Sequence, residues 1–157
     1  MSAIPTECPL LQAMPDKTPA QPAANPAWAL ENPFLESLNV TIVAWEPDLV
    51  RMSLTPQPAH LNNTGVVQGG ILATLLDAAG GYAGLFPEGG VRRAATTISL
   101  NVNYVSSGQL EPLTVVGRRV GGGRRVFFSS AEVTDSQGRV IATAQAAFRR
   151  KDPAPSA

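Results

Sequence analysis

From residue 39 onward the chain alternates apolar and polar positions in short runs, breaks once into a longer run with helical spacing, and then alternates again almost to its end. Asn39–Glu46 (NVTIVAWE) and Leu49–Thr55 (LVRMSLT) repeat with period two and are rich in β-branched residues. Pro47-Asp48 between them is a turn signal, so the pair predicts a β-hairpin. Just upstream, Asn32 is placed to cap a short helix, with Pro33 at its first position, Glu36 in its first turn, and Phe34, Leu35 and Leu38 as its apolar residues. Pro56–Val67 holds two prolines, two asparagines and a glycine and reads as a loop.

Gly69–Phe86 changes the period. Ile71, Leu72, Leu75, Leu76, Ala79 and Leu85 follow helical spacing with apolar residues nearly all round, which predicts a buried helix. Pro87 and Gly89-Gly90 end it. Four strands follow: Ala95–Val105, Leu113–Val120, Arg125–Thr134 and Arg139–Arg149. Gly121-Gly122-Gly123 and Asp135-Ser136-Gln137-Gly138 read as the turns between the later ones. A run of strands joined by tight turns predicts an α+β domain with an antiparallel sheet. One buried helix among these strands requires a curved sheet wrapped around it. The small residues Ala73, Ala78, Ala79, Gly80, Gly81, Ala83 and Gly84 let sheet and helix approach closely. Such a sheet has open edges, and pairing with a second copy would remove them, so a homo-oligomer is expected.

Composition narrows the picture. The 157 residues suit one domain, and 44% hydrophobic with 15% charged residues suit a packed core. Met1–Pro26 is rich in proline and alanine and reads as a disordered arm; Asp152–Ala157 reads as a flexible tail, which leaves Ala27–Lys151 as the folded domain. Twelve basic residues balance twelve acidic ones, so nothing points to nucleic acid. The single cysteine, Cys8, forms no intrachain disulfide, and one histidine with one cysteine supplies no metal cluster. No run reaches the roughly 18 apolar residues of a membrane span, and the start lacks a basic segment followed by an apolar one. A cytoplasmic location, with no membrane partner and no cofactor, is the expectation.

Candidate chemistry centres on Asp77. It stands in an otherwise apolar helix, where an unpaired buried carboxylate costs on the order of several kcal/mol. It either faces solvent, pairs with an arginine such as Arg92, or serves a reaction. The segment His60-Leu61-Asn62-Asn63-Thr64-Gly65-Val66-Val67-Gln68-Gly69-Gly70 runs into the start of that helix. A helix N-terminus offers free N–H groups, and two glycines let a ligand oxygen reach them, as an oxyanion hole needs; the same glycines also suit tight helix–sheet packing.

These residues resemble the hotdog-fold thioesterases related to the phenylacetate-pathway thioesterase. The likeness rests on Asn62, Gly65, Gln68-Gly69-Gly70 and Leu75-Leu76-Asp77, on the strand Thr97–Tyr104, and on Gly123–Phe128 and Asp135–Ala142. It spans Phe34–Phe148. The resemblance implies a hotdog fold and hydrolysis of an acyl-CoA thioester to free acid and CoA. Asp77 would then be nucleophile or general base, Gly69 the backbone donor to the carbonyl, and Asn62 an orienting amide. Thr97 would position water, with Thr96 in its place if the register differs by one. Gly70 and His60 would border the substrate. The family's site lies between subunits, Asn62 and Gly69 on one and Asp77 and Thr97 on the other, in a homodimer that assembles as a homotetramer. Where the family carries His, this chain has Gln68, which hydrogen-bonds but holds no proton at neutral pH, and a bracing role suits it. A hydratase or dehydratase of the same fold, and a non-catalytic acyl-CoA binder, are the alternatives. CoA phosphates would call for arginines, of which Arg124 and Arg125 are the first candidates, beside Arg92, Arg93, Arg118 and Arg119; ordinary strand-end solubility accounts for them equally well.

Overall fold

The computed structural model describes residue 30, residues 32–88 and residues 93–151. The expected arm and tail, and Arg92, lie outside the described residues. The elements are α1 (Pro33–Ser37), β1 (Thr41–Glu46), β2 (Leu49–Leu54), α2 (Gly69–Ala83), β3 (Ala95–Tyr104), β4 (Leu113–Gly122), β5 (Val126–Thr134) and β6 (Val140–Arg150). The six strands form one sheet in the order β1-β2-β4-β5-β6-β3, each neighbour antiparallel to the next. This is the hotdog arrangement, α2 lying across the inner face of the sheet. No helix among the described residues is long and apolar enough to cross a membrane.

Alternation decides which face is inner. Val50, Met52 and Leu54 of β2, Leu113 and Val115 of β4, and Val133 of β5 are fully buried against Leu75, Leu76 and Ala79 of α2. Their in-between neighbours reach the outer face. Close approach is enforced at Gly117, where a Cβ would collide with the backbone carbonyl of Ala79. Asn32 caps α1 by accepting the Leu35 N–H at 3.3 Å, as its position predicts.

Two expectations need correction. The central helix stops at Ala83 rather than Phe86, because Gly84 ends it and its Cα packs on the Phe127 ring with no room for a side chain. Gly121 and Gly122 belong to β4 rather than to the turn. A bulge between Arg119 and Gly121 and a positive φ of 110° at Gly122 carry the strand past the Phe127 backbone.

At one edge of the sheet, β3 pairs only with β6. Ile98 and Tyr104 are each 57% exposed. The ladder breaks between Thr97 and Ser99, leaving Ile98 as an extra residue. On β6 the buried residues Ala142, Ala144, Ala146 and Phe148 stand opposite Tyr104, Val102, Leu100 and Thr97. Without the bulge, Thr97 and Leu100 would lie on opposite faces; with it, both face α2.

Candidate active site

Asp77 is half-buried in α2 and borders a groove of about 240 Å³ between α1, α2 and β3. Thr97 Oγ1 donates to its Oδ1 at 2.8 Å. Thr96 pairs across to Arg149. Phe34, Leu85, Tyr82 and Phe148 supply the apolar wall, with Thr74 one turn before the carboxylate. An acidic side chain, a hydroxyl donor fixing its orientation and an apolar wall can hold a small acyl or aryl group beside a base or nucleophile.

The segment before α2 is tied into a closed loop. Leu61 bridges to Val67, the Asn62 N–H donates to the Val66 carbonyl at 2.8 Å, and Gly65 turns the chain at φ 79°. Asn62 Oδ1 accepts from the Thr64 N–H (2.9 Å), the Thr64 hydroxyl (2.7 Å) and the Val66 N–H (3.3 Å). With that oxygen occupied, the amide Nδ2 is the group left to meet a ligand. His60 is buried within a 3₁₀ turn, Pro58–His60, and its Nδ1 accepts the Gln57 N–H at 3.1 Å. Its carbonyl receives the Gln68 N–H at 2.8 Å. His60 thus shapes the loop. The Gln68 side chain is exposed, and its carbonyl accepts from Ile71 and Leu72 in the first turn of α2.

The N–H groups of Gly69 and Gly70 meet no acceptor among the described residues, as the first turn of a helix dictates. Tyr104, which sequence reasoning missed, packs its ring on Gly69 and donates its hydroxyl to the Gly69 carbonyl at 3.1 Å. Only the 35-residue reach from strand to helix start reveals this contact. Gly69 and Asp77 are eight residues apart on one helix, about 12 Å along its axis. One carbonyl cannot touch both.

The arginines divide. Arg93, Arg119 and Arg124 border a cavity beyond the end of α2, together with Arg150, which the sequence did not single out. Arg125 is exposed and contributes its carbonyl to the Arg150 N–H. Arg118 faces away, beside Glu132 on the outer face of the sheet.

This helix, sheet and groove belong to a known class. The profile of the thioesterase superfamily matches residues 64–142, from the loop through the start of β6, and the chain belongs to that superfamily. Thioester hydrolysis is its class of reaction. Over 105 residues, 66% of this chain and 74% of theirs, it is 26% identical to mouse acyl-coenzyme A thioesterase 13 and 28% identical to the human protein of that name. The solved PaaI protein from the phenylacetic acid degradation operon of Escherichia coli shares the fold, with a TM-score of 0.72 and 18% identity over 78% of this chain and 87% of that one.

Proposed function

We propose that the protein hydrolyses an acyl-CoA thioester, with Asp77 as the catalytic carboxylate and Thr97 orienting it. The observation that carries this reading is the Thr97–Asp77 hydrogen bond in a groove that Phe34, Leu85 and Phe148 also line. Relatives named as acyl-coenzyme A thioesterases support acyl-CoA as the substrate. As a general base, Asp77 takes a proton from water while the water oxygen bonds to the carbonyl carbon. The tetrahedral intermediate then expels the CoA thiolate, which recovers the proton. As a nucleophile, Asp77 bonds to the carbonyl carbon and expels the CoA thiolate, and water then opens the resulting anhydride to release the acid, restoring the Asp77 carboxylate and supplying the thiolate's proton.

The carbonyl oxygen would be held by the Gly69 N–H of a second copy, with the Asn62 amide beside it and Gln68 bracing the loop. Two contacts support this division. Thr97 lies on Asp77, and Tyr104 lies on Gly69. An antiparallel β3–β3 pairing centred between Leu100 and Asn101 would set Thr97 opposite the partner subunit's Tyr104. The partner subunit's Gly69 would then stand beside Asp77. The reading includes a homodimer of this kind, assembling as a homotetramer.

The test is CoA-thiol release across aryl and aliphatic acyl-CoAs, with Asp77→Ala beside the wild type. Loss of a group that accepts a proton or attacks directly lowers kcat by roughly 10²–10⁴-fold while the fold persists. A wild type that binds acyl-CoA without releasing CoA, or an Asp77→Ala protein of unchanged rate, overturns the reading. After single turnover in ¹⁸O water, label in the Asp77 carboxylate identifies the nucleophilic route, with water opening the anhydride at the Asp77 carbonyl carbon.

A further inference from the structure

Arg93, Arg119, Arg124 and Arg150 line a cavity of about 290 Å³ beyond the C-terminal end of α2, with Asp48 and Glu88 as the carboxylates on its wall among the described residues. Two of the four arginines are committed to the fold. Arg150 donates through Nη2 to the Gly84 carbonyl (2.9 Å) and through Nη1 to the Gly123 carbonyl (2.8 Å), and its guanidinium lies 4.7 Å over the Phe127 ring. Arg119 donates through Nη1 to Asp48 (3.0 Å) and through Nη2 to the Gly122 carbonyl (3.3 Å). The other two, Arg93 and Arg124, are exposed, and no side-chain hydrogen bond or ion pair engages them among the described residues. Burial and the positive charges of Arg119 and Arg93 push the Arg150 guanidinium below its ordinary pKa, with Asp48 opposing them. Like charges gathered this way repel one another, and a bound polyanion would relieve the repulsion.

The cavity adjoins the Asp77 groove. Phe148 lines the groove and stacks on Phe127, the ring beneath Arg150, with centroids 5.1 Å apart. Leu85 faces the groove, and the next residue, Phe86, faces the cavity. From Asp77 to Gly84 is seven residues, about 10 Å along the helix axis. A long flexible arm can cross that ridge.

Taking acyl-CoA as the substrate, we propose that this cavity receives the phosphate groups at the nucleotide end of CoA, with Arg93 and Arg124 as the pair free to grip them. Guanidinium forks match phosphate oxygens, and Arg119 and Arg150 add fixed positive charge behind them. Arg125, its neighbour in sequence, stands outside the cavity.

The test compares acyl-CoA with the acyl-pantetheine of the same acyl group, which lacks the phosphates and the nucleotide. In an Arg93→Gln/Arg124→Gln double variant, the ratio of kcat/KM on acyl-CoA to kcat/KM on acyl-pantetheine falls by about tenfold or more, chiefly through KM. Arg51→Gln removes one positive charge from β2, away from the cavity, and leaves the ratio unmoved. A double variant whose ratio stays within twofold of wild type overturns the assignment, as does an equal fall in Arg51→Gln. Calorimetric titration with CoA needs no turnover. Binding that is present in wild type and lost in the double variant, in a protein that hydrolyses nothing, keeps the phosphate site while hydrolysis fails. Brisk hydrolysis with an unchanged ratio does the reverse.

Discussion

Thr97 holds Asp77 by a single hydrogen bond, and a hydrogen bond to a charged group is worth about 1.5–3 kcal/mol. Thr97→Val removes the donor at nearly constant volume and should lower kcat by roughly 10- to 100-fold with the melting temperature little changed. Thr97→Ser restores the hydroxyl and should recover most of the loss; a serine variant as slow as the valine one would show that the methyl group, not the donor, matters. Asp77 and Thr97 were both legible in the sequence, the first as a carboxylate in an apolar helix and the second through a family likeness. Tyr104 and Arg150 were not. Each looks like an ordinary strand residue until the strand is laid beside the start or the end of α2, and neither contact is local. Arg124 and Arg125 looked like one basic pair, yet they stand in different surroundings.

Among the elements, alternation gave away the strands because one face of the sheet is buried and the other is wet. Their ends were harder, since Gly121 and Gly122 carry turn chemistry but serve a bulged strand. The β5–β6 turn was plain in Asp135-Ser136-Gln137-Gly138, and its physics is testable. Asp135 Oδ1 accepts the N–H groups of Gln137 (3.0 Å) and Arg139 (2.8 Å), and Oδ2 accepts from Arg139 Nε at 2.9 Å. Burial alone would raise this carboxyl's pKa, but the hydrogen bonds and the guanidinium outweigh it and hold the pKa below its ordinary value. A depressed folded-state pKa stabilises the native protein above the unfolded-state value, near 3.9, and that stabilisation disappears as pH falls through the lower folded-state value. Wild type should therefore exceed Asp135→Asn in urea midpoint at pH 6. The gap should close progressively below about pH 4. A gap that stays constant down to pH 2 would assign the difference to shape rather than charge.

For the whole molecule, the outstanding feature is an edge strand of ten residues with Ile98 and Tyr104 exposed. Natural sheets rarely leave such an edge bare. Light scattering should give a dimer or a dimer of dimers, and specific activity should fall on dilution as the copies separate. A monomer that retains full activity would contradict a site divided between subunits. A second copy is expected from the open sheet edges and the family likeness, and the separation of Gly69 from Asp77 along one helix would give it a physical reason in the proposed site.

The extra residue at Ile98 acts on β3 as a shift of reading frame. Residues before it and after it present the same side chains to the helix only because the strand is one residue longer than its partner. Flattening the bulge with every residue kept would leave a more regular ladder, yet it would turn the Thr97 hydroxyl to the far side of the sheet. The bulge, rather than the length of the strand, therefore sets which side chain faces the carboxylate, and a relative of equal strand length with a regular ladder would share the fold while presenting a different one there.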